Sequence, residues 1–146
     1  FNNKFIKIII RSIHNNFKES VNQLYSGQGG CLAIRAIHNK SDLTRDMIKK
    51  GTIILQNPSA YRYFDAKVKI LQHPTTIKVN YEPTIHCCGI TQCAKILSMD
   101  KECLRLGEQA IVKFKFSYQP EYIEVGHILI FREGRTKGLG KIISVY

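Results

Sequence analysis

The chain has 146 residues, 44% apolar and 23% charged, with 22 Lys and Arg against 11 Asp and Glu. That length allows one ordinary domain or two small ones with a real core, and the composition excludes a disordered tail. No apolar run is long enough to span a bilayer and no signal peptide is visible, so a cytoplasmic location without membrane contact is expected. The net charge of +11 favours a polyanionic partner, and nucleic acid is the commonest; ordinary solubility charge is the alternative. The first residue is Phe1 rather than Met, which fits a processed start or a piece of a longer protein.

Periodicity along the chain is that of strands. "KFIKIIIRSI" puts Ile6, Ile8 and Ile10 on one face and Lys7 and Arg11 on the other. After the turn signal "SGQGG", "CLAIRAI" reads as a further β run. "IHNKSDLT" follows, in which Asn39, Lys40, Ser41 and Asp42 fit N-K-x-D, the guanine-reading motif of GTP-binding proteins. That motif works beside a phosphate loop in an α/β sheet, whereas this chain has a β run upstream and no G-x-x-x-x-G-K-[ST]. The physical reading is that Ser41 or Asp42 caps a short helical turn in "SDLTRDMIKKG".

"TIIL" adds another β run, and "LQNPSAYRY" (55–63) breaks the pattern. "DAKVKIL" then sets Ala66, Val68 and Ile70 against Lys67 and Lys69. "AIVKFKFS" likewise sets Val112, Phe114 and Phe116 against Lys113 and Lys115. "AKILSM", "HILIFRE" and "KIISVY" are further short strands. The expected fold class is all-β: an incomplete first barrel over 1–57, a linker over 58–63, and a second barrel over 64–146 with enough strands to close.

Catalytic marks are sparse. Neither G-x-S-x-G nor H-E-x-x-H occurs, the carboxylates show no pairing, and the five His are dispersed. No catalytic, cofactor-binding or metal site is expected within these residues. "HCCGITQC" (86–93) invites a zinc site, but neighbouring Cys87 and Cys88 would point to opposite faces of a strand, and no C-x-x-C exists. Half-buried thiols of a reducing compartment are the expectation for these cysteines.

The run "LRLGEQAIVKFKFSYQPEYIEVGHILIFREGRTKGLGKIISV" resembles the last β-barrel of the elongation factor Tu and 1-alpha superfamily of translational GTPases. Its pieces fall in the family's order: a Leu-Arg-x-Gly-Glu turn, an alternating basic strand, a Pro-Glu-Tyr, an Arg-Glu-Gly-Arg-Thr turn and a Gly-x-Gly strand. Upstream, "HPTTIKVNYEPTIHCCGITQCAKILSMDKECLR" resembles the eukaryotic GTP-binding protein 1/2-like branch. Residues 71–145 are covered. The first part resembles the end of the family's second domain, with Gly27-Gln28 as its turn and Ile48 to Leu55 as its exit, which places "NKSD" in a variable loop.

This resemblance implies that the parent protein is a GTPase using GTP and Mg2+, with its GTP-binding domain ahead of Phe1. These barrels would hold no cofactor and do no chemistry. They would pack on that GTPase domain and bind aminoacyl-tRNA or another RNA, with the ribosome as a further partner. Outward Lys and Arg on rigid strands, Lys113 and Lys115 among them, suit phosphate contact. By resemblance, the turn Arg132, Glu133, Gly134, Arg135 and Thr136, with Lys137 beside it, contacts the tRNA backbone. His14 and Lys18 fall near the strand lining the terminal-adenosine pocket. Two alternatives stay open: Arg132 and Glu133 as an intramolecular pair, and the whole region as a protein-interaction scaffold of a GTPase in RNA turnover.

Overall fold

The computed structural model describes residues 5–38, 43–48 and 50–146. It is all-β, as expected, and divides into two compact units, Phe1–Lys49 and Lys50–Tyr146. The residues of the N-K-x-D motif, 39–42, and the capping role expected of Ser41 or Asp42 lie outside the described residues.

In the first unit, strands β1 (Ile8–Asn15), β2 (Ser20–Val21) and β3 (Gly30–Ala36) form an open antiparallel sheet in the order β2-β1-β3. Asn15 makes the β1–β2 corner: its Oδ1 accepts the N–H groups of Phe17 (2.9 Å) and Glu19 (3.0 Å). A side-chain amide that mimics backbone in this way stabilises a tight turn. The expected face of Ile6, Ile8 and Ile10 is broken at its end. Ile6 and Ile8 are half-buried, but a bulge between Ile10 and Ser12 turns Ile10 outward, 45% exposed. The expected helical turn is a single 3-10 turn at Arg45–Met47.

The second unit is a closed barrel of six strands. These are β4 (Tyr63–Gln72), β5 (Thr84–Cys87), β6 (Ile90–Met99), β7 (Gln109–Phe116), β8 (Ile128–Glu133) and β9 (Thr136–Val145), in the order β4-β7-β6-β5-β8-β9. Every pairing is antiparallel, and β4 and β9 close the ring. Strict alternation follows from the period of two. Ala66, Val68 and Ile70 of β4 and Val112, Phe114 and Phe116 of β7 all point into the core. Phe64 stacks on Phe114 at 5.1 Å between ring centroids and leans on Phe116 at 5.0 Å. Such contacts add about 0.5–1.5 kcal/mol each beyond simple burial.

Two sequence expectations differ from the structure. "TIIL" is no strand, and Ile53 and Ile54 stay exposed: β propensity alone does not make a ladder. Cys87 and Cys88 do not alternate along a strand either. Cys87 ends β5 opposite Ile90, so Cys88 and Gly89 are the two loop residues of a hairpin, with φ of 48° and 88°.

The Gly-x-Gly of β9 has a steric cause. Gly138 and Gly140 face inward where β8 sends Phe131 and Leu129 across the barrel. A Cβ at Gly138 would lie 2.1 Å from the Phe131 ring. The variant G138A is therefore expected to lose about 1–3 kcal/mol of stability through overpacking. Thermal unfolding followed by circular dichroism measures this, and an unchanged midpoint would contradict the packing described.

Candidate nucleic-acid interface

The alternation that fills the core also fixes what faces water. On the outside of β4, β7 and β9 stand Lys67, Lys69, Lys113, Lys115, Lys137 and Lys141, with Asp65 as the only carboxylate of these strands. Lys95 of β6 stands beside Lys115. Among the described residues no lysine or arginine lies within ion-pair distance of a carboxylate; the one close acid–base contact is His127 to Glu124, at 3.8 Å.

Strand pairing makes this surface self-repelling. Lys67 lies directly opposite Lys141, and Lys95 directly opposite Lys115. Cross-strand partners interact on a scale of roughly 0.2–1 kcal/mol, and like charges oppose pairing. At one end two lysines are steadied by rings. Lys113 Nζ is 4.7 Å from the Tyr146 ring centroid, and Lys115 Nζ is 5.6 Å from that of Tyr63. Tyr146 is itself fixed, since its hydroxyl donates to Asp65, which also accepts from Ser144 Oγ at 2.9 Å. A cation–π contact orients an ammonium group without neutralising it, so the charge stays available.

The Arg-Glu-Gly-Arg-Thr turn is the β8–β9 hairpin at the far end of β4. Glu133 pairs with Thr136, leaving Gly134 and Arg135 as the loop, with Gly134 at φ 52°. Arg132, Glu133, Arg135 and Lys137 are exposed, and Arg132 and Glu133 form no ion pair. Thr136 is placed differently from its neighbours. It is 3% exposed, and its hydroxyl lies 2.6 Å from His73 Nδ1, with the His73 ring set edge-on to Tyr81 at 5.8 Å. Burial pushes the Tyr81 hydroxyl above its ordinary pKa; its bond to Thr136 works the other way, and the Glu133 charge adds to the rise. Thr136 is thus the internal anchor of the hairpin. Beside it, Leu71, Ile130 and Leu139 floor an open groove rimmed by Arg132 and Lys137.

The candidate residues form separate groups. Residues 132–137 share one hairpin. Lys113 pairs with Asp65 and Lys137 with Gln72, so seven residues of β4 separate the two groups, roughly 23 Å at about 3.3 Å per residue. Lys67, Lys69 and Lys141 bridge that gap. His14, half-buried on β1 opposite Ser20 and Cys31, and exposed Lys18, at φ 65° in the Asn15 turn, belong to the first unit. Sequence periodicity finds Lys67 and Lys69, but the approach of Lys141 depends on closure between strands some seventy residues apart. Elsewhere, Gln92 holds the loop carrying Pro120-Glu121-Tyr122: its Oε1 accepts from the N–H groups of Tyr118 (2.8 Å) and Gln119 (2.9 Å), and its Nε2 donates to Glu121 (2.7 Å). Burial, with Cys88 beside it, pushes the Cys87 thiol up to about 12.

A closed six-stranded barrel accompanied by a small open sheet matches the fold of the C-terminal β-barrel domains of elongation factors of the Tu type. The chain is homologous to a segment of GTP-binding proteins 1 and 2 and of elongation factor 1-alpha, and so belongs with this superfamily of translational GTPases. It is 40% identical over 144 residues to GTP-binding protein 1 of Xenopus laevis, a match covering 97% of the chain and 21% of that protein. It is 30% identical over 131 residues to elongation factor 1-alpha of Desulfurococcus mucosus, covering 73% of the chain and 30% of that protein. A crystal structure of sup35 complexed with GDP shares the fold, with a TM-score of 0.75 at 17% identity over 97% of the chain and 38% of that structure. The chain thus spans about a fifth of the length of GTP-binding protein 1. No family model matches the chain. Among the described residues no helix is long and apolar enough to cross a membrane.

The Thr136 anchor generates a test. T136V keeps the volume but leaves His73 Nδ1 and the Tyr81 hydroxyl short of a partner, at a cost of about 1–3 kcal/mol. Chemical denaturation should show that loss, with the barrel's β signature intact in the folded state. An unaltered midpoint would mean the hydroxyl is not holding the hairpin.

Proposed function

We propose that this chain is the end of the second domain (1–57) and the third domain (64–146) of a cytoplasmic translational GTPase, and that its barrel binds aminoacyl-tRNA or another RNA. The parent would bind GTP with Mg2+ and hydrolyse it in a domain outside this chain; these residues would do no chemistry, and would pack on that domain. The observation carrying the RNA reading is the unneutralised basic surface with its three like-charged cross-strand pairs, Lys67 with Lys141, Lys95 with Lys115 and Arg132 with Lys137. A surface that works against its own strand pairing is explained by an anion that quenches it on binding. The row runs from Lys115 through Lys113, Lys67, Lys141 and Lys69 to Lys137 and Arg132. It would contact a phosphate backbone without reading sequence. In the first unit, His14 and Lys18 would contribute near the terminal nucleotide.

A second reading has its own observation. Leu71, Ile128, Ile130 and Leu139 are exposed apolar residues on the outside of the barrel, which suits a protein-interaction scaffold of a GTPase in RNA turnover. Charge reversal separates the two. Filter binding of tRNA across a salt series is expected to show affinity near about micromolar that falls as salt rises. The variant K67E/K69E/K113E/K115E should lose that affinity, and single substitutions should each reduce the salt slope by about 1. RNA binding unchanged by the four substitutions would sink the first reading, and loss of a protein partner in the same variant would support the second.

A further inference from the structure

We propose that Cys87, Cys88 and His127 form a binding site for one zinc ion at the end of the barrel. Among the described residues they are the one group whose ligand atoms converge in this way, with the two sulfurs and an imidazole nitrogen all within 4.8 Å of one another. Spacing alone argued against a metal here because neighbouring strand residues diverge. The hairpin removes that objection: Cys88 is a loop residue at φ 48°, and its Sγ comes to 3.9 Å from that of Cys87. Two thiolates about 2.3 Å from a tetrahedral zinc lie about 3.8 Å apart, so the sulfur pair already has the edge length the ion needs.

The third ligand comes from a different part of the barrel and is held in place. His127 precedes β8; its carbonyl accepts the Ile142 N–H at 2.9 Å, and its N–H donates to the Glu124 carbonyl at 3.1 Å. Glu124 is steadied by the Tyr122 hydroxyl, which donates to Oε1 at 2.5 Å, and its Oε2 lies 3.8 Å from His127 Nε2. A carboxylate behind an imidazole is the usual outer partner of a zinc-bound histidine. With Nε2 on the Glu124 side, the ligand nitrogen is Nδ1, which here accepts the Glu124 N–H at 3.2 Å and would exchange that bond for the metal. Closing the site requires the imidazole to approach by about 1 Å, within reach of a surface side chain on this scale. Cys87 is buried, Cys88 exposed and His127 half-buried, so the ion would enter from solvent and keep water in its fourth position. Two thiolates and an imidazole select a borderline or soft ion over Mg2+ or Ca2+. On binding, each thiol gives its proton to solvent as its sulfur bonds the metal.

The test uses the whole chain, reduced and stripped of metal, titrated with Co2+ as a spectroscopic stand-in for zinc. One equivalent should give thiolate-to-cobalt charge transfer with tetrahedral d–d bands, and Zn2+ should displace it and raise the melting temperature. C88S, an exposed position that leaves the core intact, should abolish the charge transfer, and H127A should weaken binding at least about tenfold. C31S/C93S/C103S should leave the spectrum unchanged. The proposal fails if the wild type shows no charge transfer. It fails equally if the bands persist in C88S or vanish in the triple variant, or if protein purified without reductant holds a Cys87–Cys88 disulfide and no metal. None of these outcomes bears on RNA binding by the lysine row.

Discussion

Closure of β4 against β9 is the constraint on which the second unit depends. These strands pair from Phe64 with Val145 to Gln72 with Lys137, joining the start of the barrel to its end. Once the ring is shut, the odd positions of β4 turn outward, while Phe64, Ala66, Val68 and Ile70 join Phe114 and Phe116 in the core. A slip of one residue would exchange the two faces, burying lysines and exposing the phenylalanines. Closure also sets how close the strands come. Gly138 and Gly140 clear the space that Phe131 and Leu129 occupy, so one motif of β9 serves both pairing and packing.

The inward residues of β4 and β7 are legible in the sequence because their period is local. Two bends in the chain hide the rest. At Ile10 the bulge shifts the register by one residue, and no composition signal marks it. At Cys88 the hairpin turns on two positive φ angles, where a cysteine stands in place of the usual Asn or Asp. Period-two reasoning therefore extends the strand through the turn and separates two thiols that the backbone brings together. Thr136 is hidden for another reason. Within the Arg-Glu-Gly-Arg-Thr turn it looks like one more polar loop residue, yet its partners are His73 and Tyr81, more than fifty residues away. The lysine row has both kinds of origin: its members alternate visibly, while the opposition of Lys67 to Lys141 exists only in the closed ring.

N-K-x-D at residues 39–42 shows how a short motif and a family can agree for unrelated reasons. The homology leads to GTP-binding proteins, but it runs over 144 residues, 97% of the chain, and does not rest on four of them. A guanine-reading loop needs a phosphate loop beside it, and this chain carries none in its sequence. In this chain the homologous stretch is a framework of alternating strands, glycines where side chains cross, and turns with left-handed residues.

That framework would suit the charge-driven RNA binding proposed for this surface. Flexible lysines on a loop would lose rotamer freedom on meeting phosphate, whereas Lys113 and Lys115 are already held over Tyr146 and Tyr63. The rings fix direction without cancelling charge, and Asp65, the one carboxylate nearby, is occupied by two hydroxyls instead of a lysine. Asp65 thus positions Tyr146, and Tyr146 positions Lys113, so the acid supports the basic surface when it would otherwise neutralise it. The repulsion between Lys67 and Lys141 destabilises the isolated barrel slightly, and a phosphate of the proposed RNA partner would relieve it. The core carries that burden easily, because burial of a dozen large side chains outweighs a few tenths of a kcal/mol at the surface.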